Sequence, residues 1–496
     1  MLLSHLSNYK PFTALLIGDY MLDQHVYGAA ERLSPDAPVP VLHATRSDDR
    51  PGGAANVALC LSALKGHVEC FGIVGDDREG QVIRQSLTET GCVVDGLLID
   101  ASRPTTVKRS LIGLAQHRHP QKMFRLDFES REPLDDEMRD ALIERIAARL
   151  DAADVVCIED YNKGVCSPML CQAVIDLCRA KNKCVLVDPA AIEDYQRYRG
   201  ATAITPNRSE AELATGLDTP IDASQVHNAG LASKLLTELD LDAVVLTLDK
   251  HGALLETRDA GPQLVPTVAR SVYDVSGAGD VVLAALAGAL ANGFSWLDAV
   301  QFANAAAGLE VEVFGVKPIS FVAVQREVLA QSRGLTGKIR SLDELLVELA
   351  VQRDAGKRII FTNGCFDVIH AGHVAYLREA KSLGDVLVVA VNDDAGVRKL
   401  KGDGRPVYAQ QERLEILSEL QCVDYLTLFS EPTVSKLLQA IVPDTYVKGG
   451  DYTAEEVAEY DLIRSLGVEM QILTHRPGLS STNVIERMAR TDNDSP

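Results

Sequence analysis

Short apolar runs that alternate with helical patterns constrain this chain more than any other feature. Leu15–Gly18, Val155–Ile158, Val185–Asp188, Ala203–Thr205 and Val244–Leu248 read as strands. Arg139–Leu150 and Met169–Ala180 read as helices between them. Such alternation builds a parallel sheet, because joining parallel strands takes a crossover that is usually a helix. The first part of the chain is therefore expected to be a doubly wound α/β unit with helices on both faces. Its ligands would sit at the carboxyl ends of the strands. Val26–Thr45 and Val93–Asp127 break the rhythm with more Pro, Val and Thr, and predict a small β lid over a site. A polar, glycine-bearing stretch, 331–341, reads as a linker between units 1–330 and 342–496. Beyond it, Asp343–Arg353 is a helical pattern. Arg358–Phe361, Val386–Val391, Tyr425–Phe429, Thr445–Lys448 and Glu469–Leu473 predict a second, smaller α/β unit.

Charge narrows the partners. The formal charge is −21, from 49 Lys and Arg against 70 Asp and Glu. That argues against nucleic acid or an anionic membrane as the main partner. Small anions remain possible ligands, since backbone amides hold phosphate on acidic proteins. No secretory leader is evident, and the longest apolar run, Val281–Ala291, is too short to span a bilayer. None of the 10 cysteines forms a C-x-x-C pair, so a structural zinc site is not expected. The chain reads as cytoplasmic.

Four patterns in the first unit carry chemistry. Asp19 ends the first strand, with Asp23 nearby. Carboxylates there either accept hydrogen bonds from a polyhydroxylated substrate or cap a turn. Gly52 and Gly53 precede Asn56 at a helix start, allowing close approach of a ligand or simply making a turn. Asn207 and Glu210 share a helix face. They either place Mg²⁺ and its waters or form a capping box. The segment Asp274–Asp280 (DVSGAGD) says most. Gly277, Ala278 and Gly279 at a helix start aim free amides at an anion, and Asp280 stands there as a general base. Val282 spoils a full G-x-G-x-x-G, and no Walker A sequence is present.

In order and spacing these patterns resemble the ribokinase-like (PfkB) family of carbohydrate kinases, over roughly residues 10–325. The resemblance implies ATP-dependent phosphorylation of a sugar. Asp280 would be the base, Gly277–Gly279 the anion hole, and Asn207 and Glu210 would serve Mg²⁺ and phosphate. It also implies that Thr247, Gly252 and Asn304 line the nucleotide pocket.

In the second unit, Asn363 and Gly364 lead into His370-Ala371-Gly372-His373. The two histidines share a helix face, and Gly372 lets a phosphate approach. Imidazole donors there can stabilise charge on an α-phosphate under attack. Zinc is disfavoured because no third ligand lies at suitable spacing. Lys401 and Arg405 belong to a basic cluster that is either solvated or clamps a triphosphate. Lys448, Gly449 and Asp451 suit an adenosine contact. Ser481 and Thr482 precede a helical stretch, as a phosphate site or a plain cap. These features resemble the cytidylyltransferase-like nucleotidyltransferases, over about residues 358–490. That resemblance implies a Rossmann-like fold and direct attack of a substrate phosphate on a nucleotide, with Mg²⁺ and release of pyrophosphate. Lys381 becomes a candidate phosphate ligand.

Together the halves resemble the bifunctional heptose-phosphate kinase and adenylyltransferase family. The stretches that carry this are LSPDAPVPV (33–41), RPGGAANVAL (50–59), RLDFE (125–129), YDVSGAGD (273–280), FANAAAGLEV (302–311), FDVIHAGHVAYL (366–377), LKGDGRPV (400–407) and VKGGDY (447–452). The family implies phosphorylation of D-glycero-β-D-manno-heptose 7-phosphate at O1, then adenylyl transfer from ATP to the 1-phosphate. A separate phosphatase acts between the steps, and ADP-heptose serves lipopolysaccharide synthesis. Lys108 and Arg109 are the expected partners of the 7-phosphate. A second copy of the chain is expected to pair through the lid. Departures are the loop 116–123 (QHRHPQKM), Ser276 in place of Thr, and Glu159 where a small residue is usual. The alternatives are another phosphosugar, CTP in place of ATP, or a non-catalytic scaffold. The presence of Asp280, His370 and His373 disfavours the scaffold.

Overall fold

A computed structural model describes residues 2–114, 120–217, 225–267, 277–311, 318–332, 337–450 and 453–473. The chain divides into two compact units, Tyr9–Glu327 and Val328–Pro496, with Leu3–Asn8 grouped in the second. The expected linker is only partly a connection. Helix Phe321–Ser332 runs into it. At its far end Ile339 bridges Leu426, Lys338 Nζ donates to the Leu420 carbonyl at 2.7 Å, and Arg340 pairs with Glu348 at 3.0 Å. Lys338–Arg340 thus lies along an edge strand of the second unit, covering backbone groups that would otherwise be open to pairing.

The strands of the first unit are β1 (Phe12–Gly18), β2 (Tyr20–Leu33), β3 (Pro40–Gly53), β4 (Gly66–Gly75), β5 (Val93–Asp100), β6 (Thr106–Gly113) and β7 (Gln121–Phe128). They continue with β8 (Val155–Glu159), β9 (Cys184–Asp188), β10 (Ala203–Ile204), β11 (Ala243–Thr247), β12 (Ala253–Thr257) and β13 (Gln263–Val265). Nine of them form one sheet in the order β13–β12–β11–β10–β9–β8–β1–β4–β5. Pairing is parallel from β5 to β11, and β12 runs antiparallel to both its neighbours. Helices cover the apolar side chains of β8, β9 and β11, which are buried on both faces. The strand order reverses at β1, so Asp19, Glu159 and Asp188 leave the sheet around the crevice beside that switch point.

The lid is a separate four-stranded sheet, β3–β2–β6–β7. It starts earlier and ends later than the sequence indicates, at Tyr20 and Phe128. Val93–Asp100, expected in the lid, is instead the edge of the main sheet. An edge strand is only partly covered, so Asp95 and Gly96 interrupt its apolar pattern and disguise it.

The second unit holds β14 (Ile359–Gly364), β15 (Val386–Asn392), β16 (Tyr425–Phe429), β17 (Thr445–Gly449) and β18 (Glu469–Leu473). All pair parallel, in the order β16–β15–β14–β17–β18. Order again reverses at β14, and the histidine-bearing helix Ala371–Lys381 follows that strand. Among the described residues, no helix is long and apolar enough to cross a membrane.

Two candidate active sites

The first site gathers at the amino end of helix Ala278–Ala291. Gly277 caps it with φ of 94°, a left-handed conformation that glycine adopts without strain. Asp280 lies in the first turn and is buried. Asn56 Nδ2 donates to its Oδ2 at 2.6 Å, and the Tyr161 hydroxyl donates to its Oδ1 at 3.2 Å. Burial raises the Asp280 carboxyl to about 6, against the pull of those two donors. Asn56 is thus a partner of Asp280. Tyr161 was not singled out from sequence, although its place just after β8 is a signal that could have found it.

A base near 6 must be ionised to accept a proton, so kinase kcat/KM should fall about tenfold per pH unit below about 6 and level off above it. Tyr161→Phe removes a donor to the charged form, so the acid limb should move to higher pH. A pH–rate profile of wild type and variant measures both.

Asp23 and Lys108 face this site from the lid and act electrostatically on Asp280. They are paired in register across β2 and β6. Lys108 Nζ sits 4.4 Å from the Tyr161 ring centroid. Gly52 lies against Asp23, where a Cβ would come within 2.7 Å of its Oδ2. Gly53 begins the turn into helix Ala54–Ala63. Arg109 does not join this group. It follows Lys108 on a strand and so points to the opposite face. There its Nε donates to Gln24 and its guanidinium lies 4.9 Å from the Phe128 ring centroid. One phosphate therefore cannot be held by both Lys108 and Arg109.

Asp19 is also corrected. Its buried carboxylate accepts backbone N–H bonds from Tyr161 at 2.9 Å, Lys163 at 3.0 Å and Val165 at 3.3 Å. Burial and the neighbouring Asp160 push it up to about 7. It shapes the loop that delivers Tyr161 rather than offering itself to a sugar.

Asn207 and Glu210 form the capping box that was the open alternative. Asn207 Oδ1 accepts from Glu210 N at 3.0 Å, and Glu210 Oε2 accepts from Asn207 N at 2.8 Å. Glu210 still lines a cavity of about 330 Å³ with Glu159 and Asp188. These hard carboxylate oxygens suit Mg²⁺, bound directly or through water. Thr247 bridges Asn207, which places it at that cap. Gly252 makes the turn after it. Asn304 Nδ2 donates to the Val265 carbonyl at 2.8 Å, and a Cβ on Gly252 would come within 2.2 Å of the same oxygen. Both residues hold the chain at the end of β13. Asp274 and Ser276 lie outside the described residues.

The second site centres on His370, the N-cap of helix Ala371–Lys381. Its Nδ1 accepts from Gly372 N at 3.1 Å, and His373 Nδ1 accepts from His370 N at 3.4 Å. With both Nδ1 atoms accepting backbone N–H bonds, each ring in its neutral form holds its proton on Nε2. The ring centroids are 4.0 Å apart.

At the carboxyl ends of β14 and β17, Asn363 Oδ1 accepts from Tyr446 Oη at 2.6 Å and Lys448 Nζ at 3.0 Å. Burial lowers the Lys448 ammonium. Asn363 and Lys448 line a cavity of about 370 Å³ with Asn392, Glu456 and Glu459. Gly364 abuts the Phe366 ring. A Cβ on Gly449 would lie 2.9 Å from the Tyr376 ring, so packing against Tyr376 requires glycine there.

Two expectations change. Lys381 ends the helix that His370 begins, about 16 Å away at 1.5 Å per residue. There it pairs with Asp424 at 2.5 Å, so it cannot serve the same phosphate. Arg405 pairs with buried Asp367 at 2.5 Å. It locks its loop to the turn before the histidines rather than standing ready for a triphosphate. Buried Arg413, which the sequence did not flag, bonds the Cys365 carbonyl at 2.5 Å and Asp394 at 2.8 Å. Lys401 is exposed at the end of helix Asp394–Lys401. Asp451, Ser481 and Thr482 lie outside the described residues.

Known proteins share both halves. The pfkB family carbohydrate kinase model matches residues 13–320, and the cytidylyltransferase-like model matches 361–487. The bifunctional protein HldE of Pelobacter propionicus is 41% identical over 96% of this chain and 95% of its own length. HldE of Geobacter metallireducens is 42% identical over 97% and 96%. HldE of Shewanella amazonensis is 42% identical over 96% of each. Among solved structures, phosphofructokinase-2 of Escherichia coli in complex with potassium covers 65% of this chain and 100% of its own, with TM-score 0.54 and 18% identity. Arabidopsis thaliana ribokinase complexed with ribose and ATP covers 64% and 99%, with TM-score 0.52 and 19% identity. These two show the fold of the first unit. The chain belongs to the HldE family of bifunctional enzymes, a pfkB-type carbohydrate kinase followed by a cytidylyltransferase-like nucleotidyltransferase in one polypeptide.

Proposed function

We propose that the first domain phosphorylates D-glycero-β-D-manno-heptose 7-phosphate at O1, and that the second transfers AMP from ATP to D-glycero-β-D-manno-heptose 1-phosphate. The observation that carries the kinase half is Asp280, buried at a helix amino end between Asn56 and Tyr161. Asp280 takes the proton of the sugar O1 hydroxyl. O1 then attacks the γ-phosphorus of ATP and ADP leaves. The amides of Gly277, Ala278 and Gly279 receive the charge on the transferred group. Asp23 accepts from sugar hydroxyls, and Lys108, in register with Asp23 on that lid face, is a cation for the 7-phosphate. Glu210 would hold Mg²⁺ through water, and the ion would supply counter-charge to the ATP phosphates.

In the second domain, a phosphate oxygen of the sugar attacks the α-phosphorus of ATP and pyrophosphate leaves. The Nε2–H groups of His370 and His373 stabilise the charge that develops there. The cavity containing Lys448 and Asn363 receives substrate. Ser481, Thr482 and Asp451 complete the nucleotide site in this proposal, and the product feeds lipopolysaccharide core synthesis in the cytoplasm. The test is a panel of sugar phosphates with ATP, followed by a panel of nucleoside triphosphates with the sugar 1-phosphate. The heptose 7-phosphate and ATP should give the highest kcat/KM. A hexose phosphate or CTP in the lead would assign the alternative chemistry.

The lid also supports a homodimer. Phe124, Leu126 and Phe128 on β7 share a face with Arg109 and Leu111, and Phe124 is 64% exposed. Apolar side chains in a row on an open sheet face invite a second copy. Phe124→Asp should shift the sedimentation coefficient from dimer to monomer. An unchanged dimer would place the interface elsewhere.

A further inference from the structure

Tyr161 reaches Asp280 from a loop with a strained backbone. Asn162 has φ of 55°, in the left-handed region that L side chains rarely enter. Gly164 has φ of 94°, where a Cβ would run into the Glu132 carbonyl. Such strain persists only where the surroundings over-determine it, and it gathers at functional sites. Asp19 holds one side of the loop through the amides of Tyr161, Lys163 and Val165. Asp160 holds the other side. It is 3% exposed, and its Oδ1 accepts from Asn162 N at 2.7 Å, which fixes the strained residue directly. Its Oδ2 accepts from the Tyr198 hydroxyl at 2.7 Å and from Arg197 at 3.3 Å. The same Arg197 nitrogen donates to the Cys166 carbonyl at 3.0 Å, at the far end of the loop. Tyr198 Oη in turn accepts from Ala190 N at 3.1 Å. The turn Gln196–Tyr198 thus ties both ends of the loop to the segment after β9.

A buried carboxylate needs a counter-charge and donors, and Arg197, Tyr198 and the Asn162 amide provide them. Burial raises the Asp160 carboxyl, and those three donors pull the other way. We propose that Asp160, held by Arg197 and Tyr198, is a positioning residue for the kinase reaction. It sets the Tyr161 hydroxyl on Asp280 Oδ1 and so fixes the orientation of that carboxylate. The inference rests on Asp280 as the base. Asp280 is also faced by Asn56 and Cys60 from helix Ala54–Ala63, by Glu159 and Asp188 from β8 and β9, and by Asp23 and Lys108 from the lid. Substitution of Arg197 or Tyr198 keeps all of these groups and releases only the loop that carries Tyr161.

The test follows the kinase pH–rate profiles of Arg197→Met, Tyr198→Phe and Tyr161→Phe in the full chain, alone and in pairs. Each single variant should move the acid limb to higher pH. Arg197→Met should lower kcat about ten- to a hundredfold with KM for ATP unchanged, as when a reacting group is misplaced by about 1 Å. Arg197→Lys keeps a cation and a donor and should recover most of the rate. Arg197→Met added to Tyr161→Phe should shift the limb no further than Tyr161→Phe alone, because both act through one hydroxyl. Amide hydrogen exchange at 160–166 should rise in Arg197→Met, with near-ultraviolet circular dichroism as the check on its fold. Should Arg197→Met not fold, Tyr198→Phe, which deletes a single oxygen, carries the test. The role is wrong if Tyr161→Phe leaves the limb at the wild-type position, if it moves the limb and the other two do not, or if the paired shifts add. An acid limb retained in Asp280→Asn would sink the base assignment instead, and faster exchange at 160–166 in Arg197→Met would still show that Arg197 holds the loop.

Discussion

Asp280→Asn should lower kinase kcat by about 10²–10⁴, the range for loss of a general base. Nucleotidyl transfer by the same preparation should stay at the wild-type rate. The substitution keeps the shape of the side chain, so Asn56 and Tyr161 retain a neighbour of the same size. What disappears is the carboxylate proposed to take the O1 proton. The KM for ATP should change little, because the amides of Gly277–Gly279 and the cap at Asn207 are untouched. The variant should also lose the acid limb near pH 6, since the group that titrates there is gone. Residual activity with an unchanged pH profile would mean that another group takes the proton.

His373→Ala should produce the mirror image, a loss of about 10²–10³ in the kcat of adenylyl transfer, as for removal of one preorganised donor, with kinase activity retained. Two effects are mixed in the alanine variant. The ring packs against Phe366 at 5.4 Å between centroids, and its Nδ1 accepts from His370 N. His373→Asn separates them. It restores an acceptor near the Nδ1 position but has no donor where Nε2–H stood. If Asn behaves like Ala, the lost donor is responsible. If Asn recovers most of the rate, His373 acts by capping its helix. Loss of both activities in any of these folded variants would contradict two independent sites.

The places of the proposed site residues in the fold were legible in the sequence because local patterns encode them. A glycine turn at a helix start announces free backbone amides whatever surrounds it. His370 and His373, three apart at a helix start, announce a pair of donors in the same way. The βα alternation likewise implied parallel sheets, since periodicity is local.

What could not be read is pairing between distant segments. Asn56 and Asp280 are 224 positions apart, and only the fold brings them to 2.6 Å. Arg405 and Lys381 looked like free cations because nothing local shows that Asp367 and Asp424 would claim them. Asp19 looked available for ligands, but backbone amides satisfy it first, and the Asn207–Glu210 pair spends one side-chain oxygen each on its helix cap. Lys108 and Arg109 looked like one phosphate clamp until the strand register put them on opposite faces of the lid. The edge strand Val93–Asp100 was misplaced because half its surroundings are solvent.

The most direct test of the whole account is a single-tube assay. Purified chain is supplied with D-glycero-β-D-manno-heptose 7-phosphate, ATP and Mg²⁺, with and without a phosphatase specific for the 7-position, and products are separated by chromatography. The account expects the 1,7-bisphosphate and ADP alone without the phosphatase, and ADP-heptose with pyrophosphate when it is added. ADP-heptose formed only with phosphatase would support both sites and their order. No phosphorylation of the heptose, or a nucleotide sugar formed from another phosphosugar in preference to it, would contradict the proposed function.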